Sequence, residues 1–366
     1  MTLRIGFLGY GMMARAHAHA LNRLPLFFPE TPETERTIVA GRDPDGVADA
    51  AERLGFRRWT THWRDVVQAV DVLYVLTPPT AHREPTVAAL ESGVHVLCEK
   101  PLAVSVRDAD RMAEAAADSD AVAGCGFNYR FLPAVQLLER LVQEGELGTI
   151  RHVRGQFLQN WQAEPSDPWT WRNDADVAGA GRVADAGSHS IDLARWLAGP
   201  IESVSGQLTT TVDERPVAGT DERRTVTTDD AYSALVRFSS GARGVFDGSR
   251  VATGHTNTNT IEVVGSKGTA RFHCERLNEL EVMREGDRGF QSISVTDPDD
   301  PYVDRWWPPG HGLGWEHSVV HENYEFLGSI RDDEPFDPGF ETGLAVARVV
   351  DAIRRSDETG RRISIR

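Results

Sequence analysis

Two rhythms of apolar and polar positions divide the chain. In its first third, short apolar runs at 3–8, 37–41, 71–76, 95–98 and 121–127 alternate with stretches that repeat apolar residues every three or four positions. An unbroken apolar run suits a strand buried on both faces, and the longer period suits a helix that covers it. The first helical stretch is 12–24. Next come 45–54, with Ala48, Ala51 and Leu54 at helical spacing and Gly55 as the stop, a helix ending at Ser92-Gly93, and 105–117 with Ser105 placed to cap it. The order β-α-β-α-β-α-β-α-β predicts a doubly wound parallel sheet, in which ligands gather outside the carboxyl ends of the strands. Gly9, Gly41, Thr77, Glu99 and Phe127 fall at those ends.

Beyond residue 130 the pattern shifts. A helix over 134–144 precedes an extended run at 150–159, a loop rich in Trp, Pro and Asp at 160–178, and a helix over 182–197 that stops at Gly199-Pro200. Short β-like runs follow at 231–238, 244–249, 260–265 and 269–274. Two of their connections, Ser239-Ser240-Gly241 and Ser266-Lys267-Gly268, are hairpin-turn sequences. Helices at 315–330 and 340–354 close the chain. The expected fold class is α/β plus α+β: residues 1–127 a doubly wound parallel domain, and 128–366 an open-faced, predominantly antiparallel sheet with flanking helices. Such a sheet has a second side to cover, which predicts a homodimer or homotetramer built on it.

Composition narrows the function classes. Hydrophobic content of 40% with 26% charged residues is ordinary for a soluble globular chain, and no apolar stretch has the length of a membrane span. The chain enters its first strand with no basic segment and apolar core of a secretory signal. A net charge of −16 argues against nucleic acid and anionic membrane as partners. Cys98, Cys125 and Cys274 are far apart and read as reduced thiols, which suits the cytoplasm. Lys100 and Lys267 are the only lysines; every other Lys/Arg position is arginine. A GC-rich genome and a surface suited to high salt both fit that bias. Either way, a chain that prefers arginine has kept an amine at position 100.

The candidate chemistry starts at Gly9-Tyr10-Gly11-Met12-Met13-Ala14, between the first strand and the first helix. Gly9 allows the tight turn, Gly11 lets a diphosphate approach the backbone, and Ala14 keeps helix and strand close. The helix N-terminus offers free N–H groups to phosphate. This marks residues 1–127 as a dinucleotide-binding Rossmann domain. The positions assigned to the cofactor are Gly9, Gly11, Met12, Met13, Arg42, Thr77, Pro78, His82, Glu99 and Lys100.

Glu99-Lys100-Pro101 ends the fourth expected strand, so the Lys100 ammonium can hold a substrate hydroxyl and stabilise charge developing on its oxygen; a plain surface lysine is the alternative. Asp185, His189 and Asp192 have spacings of four and three, which put them on one face of a helix. A histidine beside a carboxylate suits general-base chemistry; an ion pair tying helix to sheet is the alternative. Trp161, Trp169 and Trp171 offer apolar faces to a ligand or form local core. His17 and His19 read as packing histidines. His317-x-x-x-His321 has the spacing of two metal ligands but no supporting cluster, and no metal is expected.

Taken in order, Gly9-Tyr-Gly-Met-Met-Ala14, Glu99-Lys100-Pro101 and Asp185-Ala-Gly-Ser-His189-Ser-Ile-Asp192 resemble the glucose–fructose oxidoreductase, inositol dehydrogenase and rhizopine-catabolism (Gfo/Idh/MocA) family. Phe127-Asn-Tyr-Arg130 with Pro133, Leu158-Gln-Asn-Trp161, Trp171-Arg172 and the stretch 179–192 are similar to its levoglucosan dehydrogenase-type members. The resemblance implies that Lys100, Asp185 and His189 are the catalytic group, and that Asn128, Tyr129 and Arg130 make substrate or nicotinamide contacts, with packing at the domain junction as the alternative for Tyr129 and Arg130; Trp161, Trp171 and Arg172 are the further expected substrate contacts. It implies NAD(P)-dependent oxidation of a secondary alcohol of a sugar, anhydrosugar or cyclitol. A sugar reductase, a cofactor-assisted glycosidase of the same family, and a non-catalytic nucleotide sensor are the alternatives, the last disfavoured by the presence of all three catalytic types.

The carboxyl end of the second strand usually carries an acidic residue for the ribose 2′-hydroxyl. Here Gly41-Arg42 stands there. Loss of the carboxylate removes repulsion against a 2′-phosphate, and a guanidinium can pair with one. NADP is favoured; Asp43, one residue further, keeps NAD open.

Overall fold

The computed structural model describes residues 2–365. The chain divides into two compact units: one runs to Asn128 and includes Trp315–Ala345, the other comprises Tyr129–Gly314 and the residues from Val346 on. This differs from a single cut at 127/128, because a late segment returns to the first unit.

The first unit holds six strands: β1 (Leu3–Leu8), β2 (Thr34–Ala40), β3 (Arg58–Thr60), β4 (Val72–Val75), β5 (His95–Glu99) and β6 (Ala123–Gly126). All pair in parallel, in the order β3-β2-β1-β4-β5-β6. Helices α1 (Met12–Phe27), α2 (Pro44–Leu54), α3 (Trp63–Val67), α4 (Arg83–Glu91) and α5 (Val106–Ala117) connect them. Both β3 and α3 are too short to show a period in the sequence. Their place is nonetheless close-packed: a Cβ on Gly6 of β1 would lie 2.4 Å from Val66 Cγ1 of α3. Ser105 caps α5 by accepting from the Asp108 N–H at 3.1 Å, and Gly55 ends α2 at φ 75°. Strand order reverses between β1 and β4, which opens the ligand-binding crevice of a doubly wound sheet beyond their carboxyl ends.

The second unit opens with α6 (Pro133–Gln143), β7 (Ile150–Leu158), α7 (Ala175–Ala178), α8 (Arg182–Asp185) and α9 (Gly187–Ala198). Strands β8 (Ile201–Thr209), β11 (Ala231–Phe238), β12 (Arg243–Ser249), β13 (Thr258–Gly265), β14 (Gly268–His273), β15 (Glu279–Arg284), β16 (Gln291–Ser294) and β17 (Ile363–Ser364) join β7 in a nine-stranded sheet, while β9 (Glu214–Pro216) and β10 (Arg223–Thr225) form a separate ribbon. Among the described residues of this sheet, only β7 and β12 run parallel; the other pairs are antiparallel. Along β11, Tyr232, Ala234, Val236 and Phe238 point inward and their neighbours outward. Helix α9 packs on β7 and β12. The other face carries polar ladders: Arg154 bonds Glu262 at 2.9 Å and Gln156 reaches Asp247 at 3.2 Å.

The last helices are α10 (Glu316–Asp332) and α11 (Phe340–Thr359). Helix α10 packs on α1 within the first unit and buries Val319, Val320, Phe326 and Leu327.

Candidate active site

The glycine turn joins β1 to α1. Gly9 has φ 98°, and a Cβ there would lie 2.7 Å from the Leu76 carbonyl oxygen, so glycine is required twice over. Gly11 is different. A Cβ on it would meet nothing within 4 Å, and the residue is exposed. Protein packing gives no reason for glycine there; unobstructed approach to the backbone does. Gly11 is also the N-cap of α1 and supplies no side-chain acceptor, so the first-turn N–H groups remain available to an anion. Met12 is exposed, Met13 half-buried, and Ala14 fully buried as the small residue between helix and strand. Beyond β4, the Thr77 hydroxyl is buried with no hydrogen-bond partner among the described residues. These features fit a dinucleotide.

His82 braces this crevice and does not face it. Its ring is fully buried, with Nε2 2.8 Å from the Thr77 carbonyl and Nδ1 3.1 Å from that of Leu102. Burial holds the imidazole below its ordinary pKa despite those acceptors. The residue expected among the cofactor contacts thus sits between the loop after β4 and the loop after β5, and as a neutral ring donates to one of the two carbonyls.

Lys100 is half-buried at the end of β5, and its backbone N–H donates to Glu99 Oε2 at 3.1 Å. Behind it lies a polar group that periodicity alone assigns to packing. Tyr74 donates to Asn323 Oδ1 at 2.7 Å, and Asn323 Nδ2 lies 2.7 Å from the Val319 carbonyl and 2.9 Å from His17 Nδ1. That arrangement makes His17 Nδ1 an acceptor and leaves the proton on Nε2, 3.5 Å from Glu99 Oε1. The one signal in the sequence is a histidine between Ala16 and Ala18 on the apolar face of α1.

Glu322 lies in the same unit, fully buried, with neither carboxyl oxygen hydrogen-bonded among the described residues. Burial first, and the Glu99 charge second, drive its pKa well above the carboxylate range. A carboxyl whose folded pKa is raised contributes stability below its unfolded pKa, near 4.5, and loses it as pH rises toward the folded value. Glu322→Gln should therefore gain on wild type in melting temperature between pH 5 and pH 8. An offset that does not change with pH would show Glu322 to be ionised or solvated in the fold.

In the second unit, the helix expected over 182–197 is two helices that break at Ala186. The break falls between Asp185 and His189, so simple helical spacing does not relate them. Upstream, the Asp229 carboxylate accepts from the Gly181 and Val183 N–H groups, both at 2.8 Å, and pins the start of α8. A Cβ on Gly181 would lie 2.1 Å from the Asp229 carbonyl oxygen. Asp185 is half-buried between two guanidiniums, with Arg172 Nε at 3.7 Å and Arg182 Nη1 at 3.6 Å. Arg182 is itself buried, donates to the Phe157 carbonyl at 3.2 Å and lies 4.7 Å over the Phe157 ring. The His189 ring is 5% exposed, edge-on to Tyr129 at 4.7 Å and 6.3 Å from Phe157.

The Trp-rich loop is held from within. Gln162 and Asn173 exchange amide hydrogen bonds at 3.1 and 3.0 Å, and buried Arg215 donates to the Gln162 and Glu164 carbonyls. This sets Trp171 beside Arg172, whose guanidinium lies 4.3 Å over the indole. Trp171, Arg172 and Asp185 come together, and Trp161 is 39% exposed. The other expected substrate contacts have different occupations. Arg130 forms a buried two-point pair with Asp192 at 2.8 and 2.6 Å, Tyr129 is buried, and in the first unit Asn128 donates to Ser318 at 2.7 Å.

A doubly wound domain with a phosphate-ready turn, and a sheet domain presenting a carboxylate and an imidazole, define an NAD(P)-dependent oxidoreductase acting on CH–OH groups. Residues 3–127 match the oxidoreductase family with an NAD-binding Rossmann fold, and 135–271 match the GFO/IDH/MocA C-terminal domain. The chain belongs to the Gfo/Idh/MocA oxidoreductase family. It is 35% identical to levoglucosan dehydrogenase of Pseudarthrobacter phenanthrenivorans over 97% of this chain and 96% of that protein. A solved levoglucosan dehydrogenase in complex with NADH superposes with a TM-score of 0.97 at 34% identity, covering all of both chains. An oxidoreductase domain protein from Kribbella flavida does so with a TM-score of 0.97 at 42% identity, again over both whole chains.

Proposed function

We propose that this chain oxidises a secondary alcohol of a sugar, anhydrosugar or cyclitol, with NADP as the preferred acceptor. The observation that carries the reading is Asp185 set between Arg172 and Arg182, with His189 on the following helix and the Trp171 face alongside. A carboxylate that accepts hydroxyls and an aromatic face that covers C–H bonds suit a polyhydroxylated ring. The levoglucosan dehydrogenase likeness supports the same substrate class. In this reading His189 takes the hydroxyl proton, Lys100 donates to the oxygen and stabilises its developing charge, and Asp185 orients hydroxyl and base. Trp161, Trp171 and Arg172 contact the ring, while Tyr129 and Arg130 support the wall behind. A bound nicotinamide supplies the hydride acceptor. Gly9, Gly11, Met12 and Met13 hold the diphosphate, and Thr77 and Pro78 flank the cofactor. A panel of anhydrosugars, aldoses and cyclitols, each assayed with NAD and NADP, tests the proposal; no cofactor reduction with any of them would sink it.

The NADP preference rests on Arg42, exposed at the end of β2, and on the Asp43 carboxylate, which accepts from the Gly46 N–H at 3.1 Å to cap α2. Arg42→Ala is expected to weaken NADP binding about tenfold while leaving NAD binding in place. Equal effects on the two nucleotides in a titration would remove Arg42 from the ribose site.

The open face of the nine-stranded sheet supports a homodimer or homotetramer, with a polar interface given its Arg154–Glu262 ladder. Sedimentation should show association that weakens with salt; a monomer at all concentrations refutes it.

A further inference from the structure

We infer that Tyr10 and Gly41 form one specificity element, in which the tyrosine ring fills the space that an acidic ribose-binding side chain would need. The inference rests on the cofactor reading above and adds a residue to it. An ideal Cβ on Gly41 would lie 2.1 Å from Tyr10 Cε1 and 2.6 Å from Cδ1, with Val47 Cβ a further 3.2 Å contact. Those atoms belong to a rigid ring, so no small torsion relieves the overlap. Gly41 is not among the residues with positive φ, so its backbone conformation does not demand glycine. The ring does. Tyr10 also reaches the first turn of α2, where a Cβ on Gly46 would lie 2.9 Å from the tyrosine hydroxyl and 2.6 Å from Asp43 Oδ2.

Tyr10 therefore bridges the glycine turn, the end of β2 and the start of α2, the three places that surround an adenosine ribose in a doubly wound sheet. A carboxylate at position 41 would accept from the ribose 2′-hydroxyl and repel a 2′-phosphate. Here its stem has no room, and the neighbouring Asp43 carboxylate is engaged in capping α2. Positions 10 and 41 are far apart in sequence and lie in contact, so changes at the two are coupled, not additive.

The test compares wild type, Tyr10→Ala, Gly41→Glu and the double variant. Two measurements are made without substrate: dissociation constants for NADP and NAD from fluorescence titration, and melting temperatures of the unliganded proteins. Gly41→Glu alone should melt lower and gain no NAD preference. Tyr10→Ala should keep the wild-type preference within about threefold. The double variant should recover melting temperature relative to Gly41→Glu and shift the affinity ratio toward NAD by at least about tenfold. A Gly41→Glu variant that melts like wild type and switches to NAD unaided overturns the inference, as does a double variant with no gain in NAD. If Gly41→Glu does not fold, comparing the double variant with Tyr10→Ala decides the same point. Wild type binding NAD more tightly would refute the NADP preference, while the melting-temperature coupling would still decide the role of Tyr10.

Discussion

Lys100→Ala is expected to lower kcat by about 10²–10³-fold, the usual effect of removing one donor to a developing oxyanion, while NAD(P) continues to bind. The expectation follows from how the residue is held. Lys100 starts the turn after β5, its N–H is fixed on Glu99 Oε2, and Glu99 is 7% exposed with His17 behind it. The Asn323 contacts leave His17 one tautomer, with its N–H toward Glu99. The stem of the lysine thus leaves a backbone that does not reorganise when charge develops on substrate. Lys100→Arg should not rescue the rate, although arginine is the basic residue this chain otherwise prefers. A planar guanidinium spreads its charge over a fork and cannot place a compact ammonium at one oxygen. Steady-state kcat and KM, read beside nucleotide titration, decide the matter. A fall of less than about fivefold would remove Lys100 from the chemistry; loss of nucleotide binding in a folded variant would make it a cofactor residue.

The parts of this architecture that were legible in the sequence are those written in local pattern. The apolar runs became β1, β2, β4, β5 and β6, and the glycine turn stood where a strand meets a helix. Lys100 drew notice through the rarity of its type. What was not legible depends on distant contacts. Helix α10 joins the first unit because Asn323 meets Tyr74 and His17, hundreds of positions earlier in the chain. The break at Ala186 and the Asp229 clamp on Gly181 and Val183 are both invisible in a stretch that reads as one helix. Tyr10 against Gly41 escaped for the same reason: a glycine run reports freedom, not which ring has taken the space. Arg130 is the sharpest case, since its two-point pair with Asp192 lies 62 positions on and leaves no mark beside Asn128 and Tyr129.

Asp192→Ala should cost about 3–5 kcal/mol of stability in the second unit, because it takes a two-point partner from a buried guanidinium. Arg130 meets Asp192 through two hydrogen bonds, with side-chain exposures of 5% and 1%. Its guanidinium also lies 5.1 Å over Trp196. Arg195, held below its ordinary pKa by burial and supported by the Asp192 charge, would lose the same partner. Replacing both members, as Arg130→Met with Asp192→Leu, removes both charges and should recover most of the lost stability, since apolar groups of similar volume often serve as well as a buried pair. The double variant also separates two roles. If Arg130 only anchors the helix that carries His189, the variant keeps its KM; if the arginine reads substrate, KM rises although the protein is stable. Urea unfolding and steady-state kinetics on the same three proteins give both answers. A loss below about 1 kcal/mol in Asp192→Ala would mean that the pair is solvated and that α9 is held by its apolar contacts alone.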